Sequence, residues 1–121
     1  MIYTSYFGNW REFKNFLHVS IALSSPKGYD GFKLSCDERF SSLVPTRELL
    51  AEYKLGEMTN KAYAIKYLKQ IKDIDFNMFY RSYDESVLLC YEKNEYEKDW
   101  FCHRKVLCWR MQQLGFPIRE L

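Results

Sequence analysis

The chain has 121 residues, 47% of them hydrophobic and 18% aromatic, with ten Tyr and nine Phe. A chain of that size and composition buries one core, which excludes disorder and removes any need for disulfide or metal staples. Its 18 basic residues are nearly offset by 16 acidic ones, for a formal charge of +2. That balance does not mark a nucleic-acid binder by charge, although it does not exclude one. The start, MIYTSYFGNW, has no basic segment followed by a long apolar one, and no apolar run approaches the roughly 18 residues of a membrane span. A single cytoplasmic domain over residues 1–121, with no membrane partner, is therefore expected.

Residues Ile2 to Phe7 mix β-branched and aromatic side chains and then meet Gly8-Asn9, which predicts a first strand and its exit turn. A short helical or irregular piece, WREFKNF, follows. His18 to Leu23 alternates as a second strand and is closed by Ser24-Ser25-Pro26 and a loop through Gly28 and Gly31. Residues 32–44 carry no clear pattern. Thr46 is placed to cap a helix carrying Leu49, Leu50 and Tyr53 that Gly56 ends. Thr59 is placed to cap a longer one, in which Ala62, Ile65, Leu68 and Ile71 form an apolar row beside Tyr63 and Tyr67. A third short helix around Asn77 to Arg81 leads to Val87-Leu88-Leu89-Cys90-Tyr91, a continuous apolar run as in a strand buried on both faces.

The charged loop from Glu92 to Asp99 then leads to a helix from about Trp100 to Leu114. Its stripe Phe101, Leu107, Cys108, Met111 and Leu114 faces the sheet, and Gly115 sits where a left-handed residue ends a helix. Pro117 to Leu121 reads as a last strand. Strands separated by helices predict an α/β fold, a single small Rossmann-like domain with a mostly parallel sheet of about 4–5 strands flanked by helices. In such sheets ligands bind beyond the carboxyl ends of the strands.

The chemistry-bearing residues fall at that end. Cys90 and Glu92 are two apart, so on a strand they share a face. Cys102, His103 and Arg104 occupy the start of the next helix, where unpaired N–H groups and the helix dipole favour an anion and lower the pKa of a thiol. Three readings follow. In one, Arg104 and the helix start hold a phosphate or carboxylate. In another, Cys102 is a nucleophile with Glu92 or His103 moving protons. In the third, Cys90, Cys102 and His103 bind zinc with Glu92 or Cys36 as fourth ligand; it ranks last, because adjacent side chains on a helix diverge by about 100°. The four cysteines, Cys36, Cys90, Cys102 and Cys108, form no CxxC pair and are expected to be reduced thiols, Cys108 as a core residue. His18 is expected to be structural.

Four segments, IYTSYFGN at 2–9, VSIALSSP at 19–26, LVPTRELLAEYKLGEMTNKAYAIKYLKQI at 43–71 and VLLCYEKNEYEKDWFCHRKVLCWR at 87–110, resemble the bacterial and phage family called domain of unknown function 488. The Leu-Cys-Tyr-Glu run followed by Cys-His-Arg is the specific part. The resemblance implies a compact α/β domain and a shared site of Cys90, Glu92, Cys102, His103 and Arg104. It also draws in Thr4, Ser5 and Asn9 at the end of the first strand, and Tyr53 and Lys54. No reaction carries over from that family. Relatives tend to have a basic residue after VSI where this chain has Ala22, a departure that bears on an anion site.

The expected function is thus binding of a small anionic ligand, phosphate-bearing and nucleotide-derived, with thiol chemistry if the protein is an enzyme. No cofactor is expected. The alternative is a non-enzymatic interaction protein in which Glu92 and Arg104 pair, the cysteines fill the core, and the tyrosines serve a partner surface or stack on single-stranded nucleic acid.

Overall fold

The computed structural model describes residues 1–13, 15–22, 33–35, 38–56, 58–90 and 102–121. The strands are β1 (Ile2–Tyr6), β2 (Leu17–Ser20), β3 (Lys33–Ser35), β4 (Ser86–Cys90) and β5 (Ile118–Glu120), and the helices are α1 (Arg47–Lys54), α2 (Asn60–Ile71), α3 (Phe76–Tyr83) and α4 (His103–Gln113). Two 3₁₀ segments, Phe7–Phe13 and Glu38–Leu43, complete the order. All strand pairings are parallel, in the spatial order β3-β2-β4-β1-β5. The expected α/β architecture is what the chain adopts.

β4 lies at the middle of the sheet with every residue buried, which is why its sequence reads as an unbroken apolar run rather than an alternation. Its side chains divide between two layers. Leu88 faces the main core, built with Val19, Tyr67, Leu107 and Met111 under the helices. Val87 and Leu89 face the opposite side, where Phe7 and Phe13 from the first 3₁₀ segment cover them.

The helix starts follow the expected chemistry. Thr46 Oγ1 accepts the Leu49 N–H and Thr59 Oγ1 accepts the Ala62 N–H, each at 3.1 Å, and Asp75 Oδ1 does the same for Met78 N–H. Gly56 and Gly115 end α1 and α4 with φ of +77° and +90°, a conformation that suits a residue without Cβ. Thr59 is exposed, so Thr59→Ala removes the cap and little else. It should cost about 1 kcal/mol of stability in urea denaturation.

Several expected boundaries and faces differ. The second strand starts at Leu17 and ends at Ser20, and Leu23 to Gly31 lie outside the described residues. The unpatterned stretch 32–44 holds the edge strand β3 and a 3₁₀ segment whose Phe40 and Leu43 are buried. α4 begins at His103, with Cys102 as an extended N-cap residue (φ −88°, ψ 139°). Leu114 is 44% exposed, while Phe101 and Trp100 lie outside the described residues. On α2 the buried row is Tyr63, Tyr67 and Ile71, four residues apart, and Ile65 is 46% exposed. The tyrosines win the inner face because their hydroxyls can be satisfied there. Tyr67 donates to the Leu43 carbonyl at 2.6 Å, and its ring packs as an aliphatic one would.

Candidate functional site

β1 and β4 are neighbours, with Tyr6 in register with Cys90. β1 runs into the 3₁₀ segment on one face, whereas the helix that follows β4, α4, packs on the other. Adjacent strands whose continuations leave on opposite faces open a crevice at their carboxyl ends. Cys90 closes β4 there. By the strand alternation it points, like Leu88, toward α4.

Cys90, Cys102, His103 and Arg104 come together in this place, all of them buried. The sulfurs of Cys90 and Cys102, twelve positions apart in sequence, are in direct contact. This corrects the expectation of four reduced thiols, since Cys90 and Cys102 are paired: an extended N-cap residue aims its side chain back toward the strand end instead of along the helix surface. Cys108 is a free, buried thiol on the inner side of α4. Burial, the leading cause, raises its pKa.

The imidazole of His103 is held in one tautomer. Nε2–H donates to the Ile21 carbonyl at 2.7 Å, and a carbonyl only accepts, so the proton sits on Nε2. Burial, reinforced by the Arg104 charge, pushes the pKa of His103 down to about 4, so the ring is neutral. Nδ1 therefore presents a lone pair, and it lies 3.7 Å from Cys102 Sγ. This is the geometry of a hydrogen-bond acceptor beside a thiol. Tyr67 packs edge-on against the ring at 5.5 Å and keeps it in place.

Arg104 has no exposed surface, and its charge is answered inside the fold. Nε donates to both oxygens of Glu120 at 3.1 and 3.0 Å, and Nη2 to Oε2 at 2.9 Å, a two-pronged pairing suited to a planar guanidinium. Nη1 donates to Cys90 Sγ at 2.9 Å. Thr4 Oγ1 also donates to Glu120. The expected role of Arg104 as a clamp for an external anion is corrected accordingly, since its donors point at Glu120 and at the Cys90 sulfur. The alternative pairing with Glu92 involves a residue outside the described ones, as does the suggested fourth zinc ligand Cys36.

Of the other residues expected at the site, Thr4 joins through Glu120. Ser5 is in register with Leu89 and so faces the opposite layer, where Asn9 donates to its hydroxyl at 3.3 Å. Tyr53 is linked to the cluster through the ring series Tyr53, Tyr63, Tyr67, His103, and its hydroxyl donates to Asn60. Lys54 is exposed on α1. Ala22 is half-buried against the Phe7 and Phe13 cluster, an apolar setting that suits the small residue found there. His18 is structural, as expected, with Nε2 on the Phe13 carbonyl at 3.0 Å.

Sequence reading missed Glu120 and the Ile21 carbonyl. The signal for Glu120 was available: a buried arginine needs a carboxylate, and in a last parallel strand Glu120 shares the face of the core residue Ile118.

Cys90 Sγ, Cys102 Sγ and a nitrogen of His103 all lie within 4.8 Å of one another, so the same three residues are also a candidate metal-binding set. No protein-family model, curated protein or solved structure matches the chain.

Proposed function

We propose that the Cys90–Cys102 pair is a redox-active dithiol acting on a small anionic disulfide, within a protein of the domain of unknown function 488 type. The observation that carries the reading is the lone pair of His103 Nδ1, 3.7 Å from Cys102 Sγ. His103 Nδ1 accepts the hydrogen bond of the Cys102 thiol and orients it, and the proton is released to solvent on ionisation. The thiolate is further favoured by its place at the start of α4, where the helix dipole favours negative charge. Cys102 Sγ attacks one sulfur of the substrate, expelling the other as a thiolate and leaving a mixed disulfide. Cys90 Sγ, with the Arg104 Nη1–H stabilising its ionised form, then attacks Cys102 Sγ. The second substrate thiolate leaves. The two electrons that reduce the substrate come from the dithiol, which ends as a Cys90–Cys102 disulfide.

The dipole at the start of α4 supports an anionic substrate, in the role first assigned to Arg104. The test uses dithiobis(nitrobenzoate), an anionic disulfide, against neutral dithiodipyridine, on the folded, reduced protein. The expected result is two equivalents of thiolate released from the pair, faster with the anionic reagent. Cys90→Ser should stop at one equivalent with the reagent trapped on Cys102, and Cys102→Ser should lose the fast phase. Thiols that stay inert until the protein unfolds, or a Cys102→Ser variant as fast as the parent, would exclude the dithiol.

A zinc site is the second reading, favoured by two observations. The Cα atoms of Cys90 and Cys102 are 7.8 Å apart, wider than the roughly 4.4–6.8 Å that disulfides span. His103 also has the arrangement common to histidine ligands, one nitrogen held by a carbonyl and the other presented to the sulfurs. The divergence of adjacent helical side chains does not apply here, because Cys102 stands before the first helical residue. Titrating reduced protein with Co(II) distinguishes the readings. Stoichiometric binding with a thiolate-to-cobalt charge-transfer band, lost in Cys102→Ser and His103→Gln, supports the metal, and its absence removes it.

A further inference from the structure

The apolar row on α2 that fails to face the core has a place of its own. Ile65 and Leu68, with Ala64, meet Val106 and Trp109 of α4 on the outer side of the helix pair, lining a hollow of about 380 Å³. A second hollow of about 370 Å³ adjoins it, shares Leu68 and Trp109, and extends to Leu114. Trp109 is 49% exposed and Ile65 46%. α2 thus carries two apolar stripes: the tyrosine one is buried in the core, while Ala64 and Leu68 only pack against it and Ile65 stays exposed. A helix face of Ile and Leu, continued by Trp on its neighbour, is costly to leave in water unless something covers it.

Charge indicates what that is. The hollows are bordered by Lys61, Lys105, Lys72 and Arg110, and among the described residues no acidic one lines either hollow. The sequences of α2 and α4, NKAYAIKYLKQI and HRKVLCWRMQQ, contain no Asp or Glu at all, although acidic residues make up 16 of the 121 positions. A second copy of this chain would set each basic rim against its own like under two-fold symmetry. A nucleic-acid strand would bring the complementary charge but only base faces for a walled apolar groove.

We propose that the α2–α4 groove binds an acidic amphipathic helix of a partner protein. Leu or Phe side chains at i, i+3, i+4 and i+7 of that helix enter the two hollows on either side of Trp109, and its flanking Glu and Asp meet Lys61, Lys105 and Arg110. Trp109 is the anchor, being a large exposed aromatic at the junction of the hollows. This surface is separate from the cysteine pair, and its test reads no thiol chemistry.

The experiment is a titration of the full chain, labelled with ¹⁵N, with a synthetic amphipathic helix bearing Leu on one face and Glu on the other. A counterpart with Lys for every Glu and a scrambled acidic peptide serve as controls. The expected result is saturable shifts of the Trp109 indole and of α2 and α4 amides with the acidic amphipathic peptide alone, weakening as ionic strength rises. Trp109→Ala should reduce affinity roughly tenfold or more. The double variant Lys61→Glu, Lys105→Glu should lose the acidic peptide and gain the basic one. Both changes are at solvent-accessible positions, and the amide spectrum of each variant confirms that it is folded. The proposal is overturned if neither peptide binds, if both bind alike, if the scrambled peptide binds equally well, if oligothymidylate or anionic lipid vesicles displace the peptide from Trp109, or if sedimentation shows the chain dimerising through this face.

Discussion

Glu120→Gln should lower the free energy of unfolding by about 3 kcal/mol and the melting temperature by roughly 10 °C. The amide keeps the size and one acceptor of the carboxylate but removes its charge. The Arg104 guanidinium, with none of its surface exposed, is then left as a buried cation. Breaking a buried pair from one side typically costs about 3–5 kcal/mol. The lower end applies because Glu120 is itself 24% exposed, so water screens part of the interaction. The double variant Arg104→Met, Glu120→Gln removes both charges and should be more stable than Glu120→Gln alone, a coupling that paired urea titrations measure directly. A loss below about 1 kcal/mol in the single variant would show that another carboxylate carries the guanidinium.

In metal-free, reduced protein, His103 should make stability fall as pH drops from 6.5 to 4. Its pKa is 6.5 before burial and about 4 in the folded chain, so in that window the unfolded chain binds a proton that the folded one refuses. The stability is fully present above pH 6.5, is lost progressively toward pH 4, and changes no further below it. A shift of that size corresponds to about 3 kcal/mol. His103→Gln still has an amide N–H for the Ile21 carbonyl but does not titrate, so its stability profile should lack this component. The informative quantity is the difference between the two profiles, because carboxylates shape both. The reaction of Cys102 should show no inflection near pH 6.5, since the hydrogen-bond acceptor is already neutral there.

The layout of strands and helices was legible because local rules and packing agreed. Threonines stood where caps were needed, glycines where φ turns positive, and β4 had no polar residue between Val87 and Cys90. Legibility ended where two patterns competed on one element. On α2 the aliphatic row and the tyrosine row are equally periodic, and hydropathy alone favours the aliphatic one. The outcome turned on a carbonyl of Leu43 that no sequence pattern announces. The site was legible in its Cys90, Cys102, His103 and Arg104 cluster, which strand-end and helix-start logic places together. Which group Arg104 would meet took two further steps, the need of a buried arginine for a carboxylate and the face that Glu120 shares with Ile118 on the last strand. Ser5 and Thr4 are neighbours in sequence, yet alternation sends only Thr4 to the cluster.

The strand order also sets a timetable. β1 takes its partners from residues 87–90 on one side and from residues 118–120 on the other. At an elongation rate of roughly 5–20 residues per second, β1 spends several seconds after its own synthesis without either neighbour. Local helices such as α1 and α2 are complete before then, while the sheet that they cover cannot close. Both flanks of Ile2–Tyr6 stay open to strand addition throughout that interval, and the long loops to be closed favour slow folding. The Thr4–Glu120–Arg104 connection therefore forms only after β5 has joined β1, and the cysteine pair that it supports is completed after the rest of the sheet.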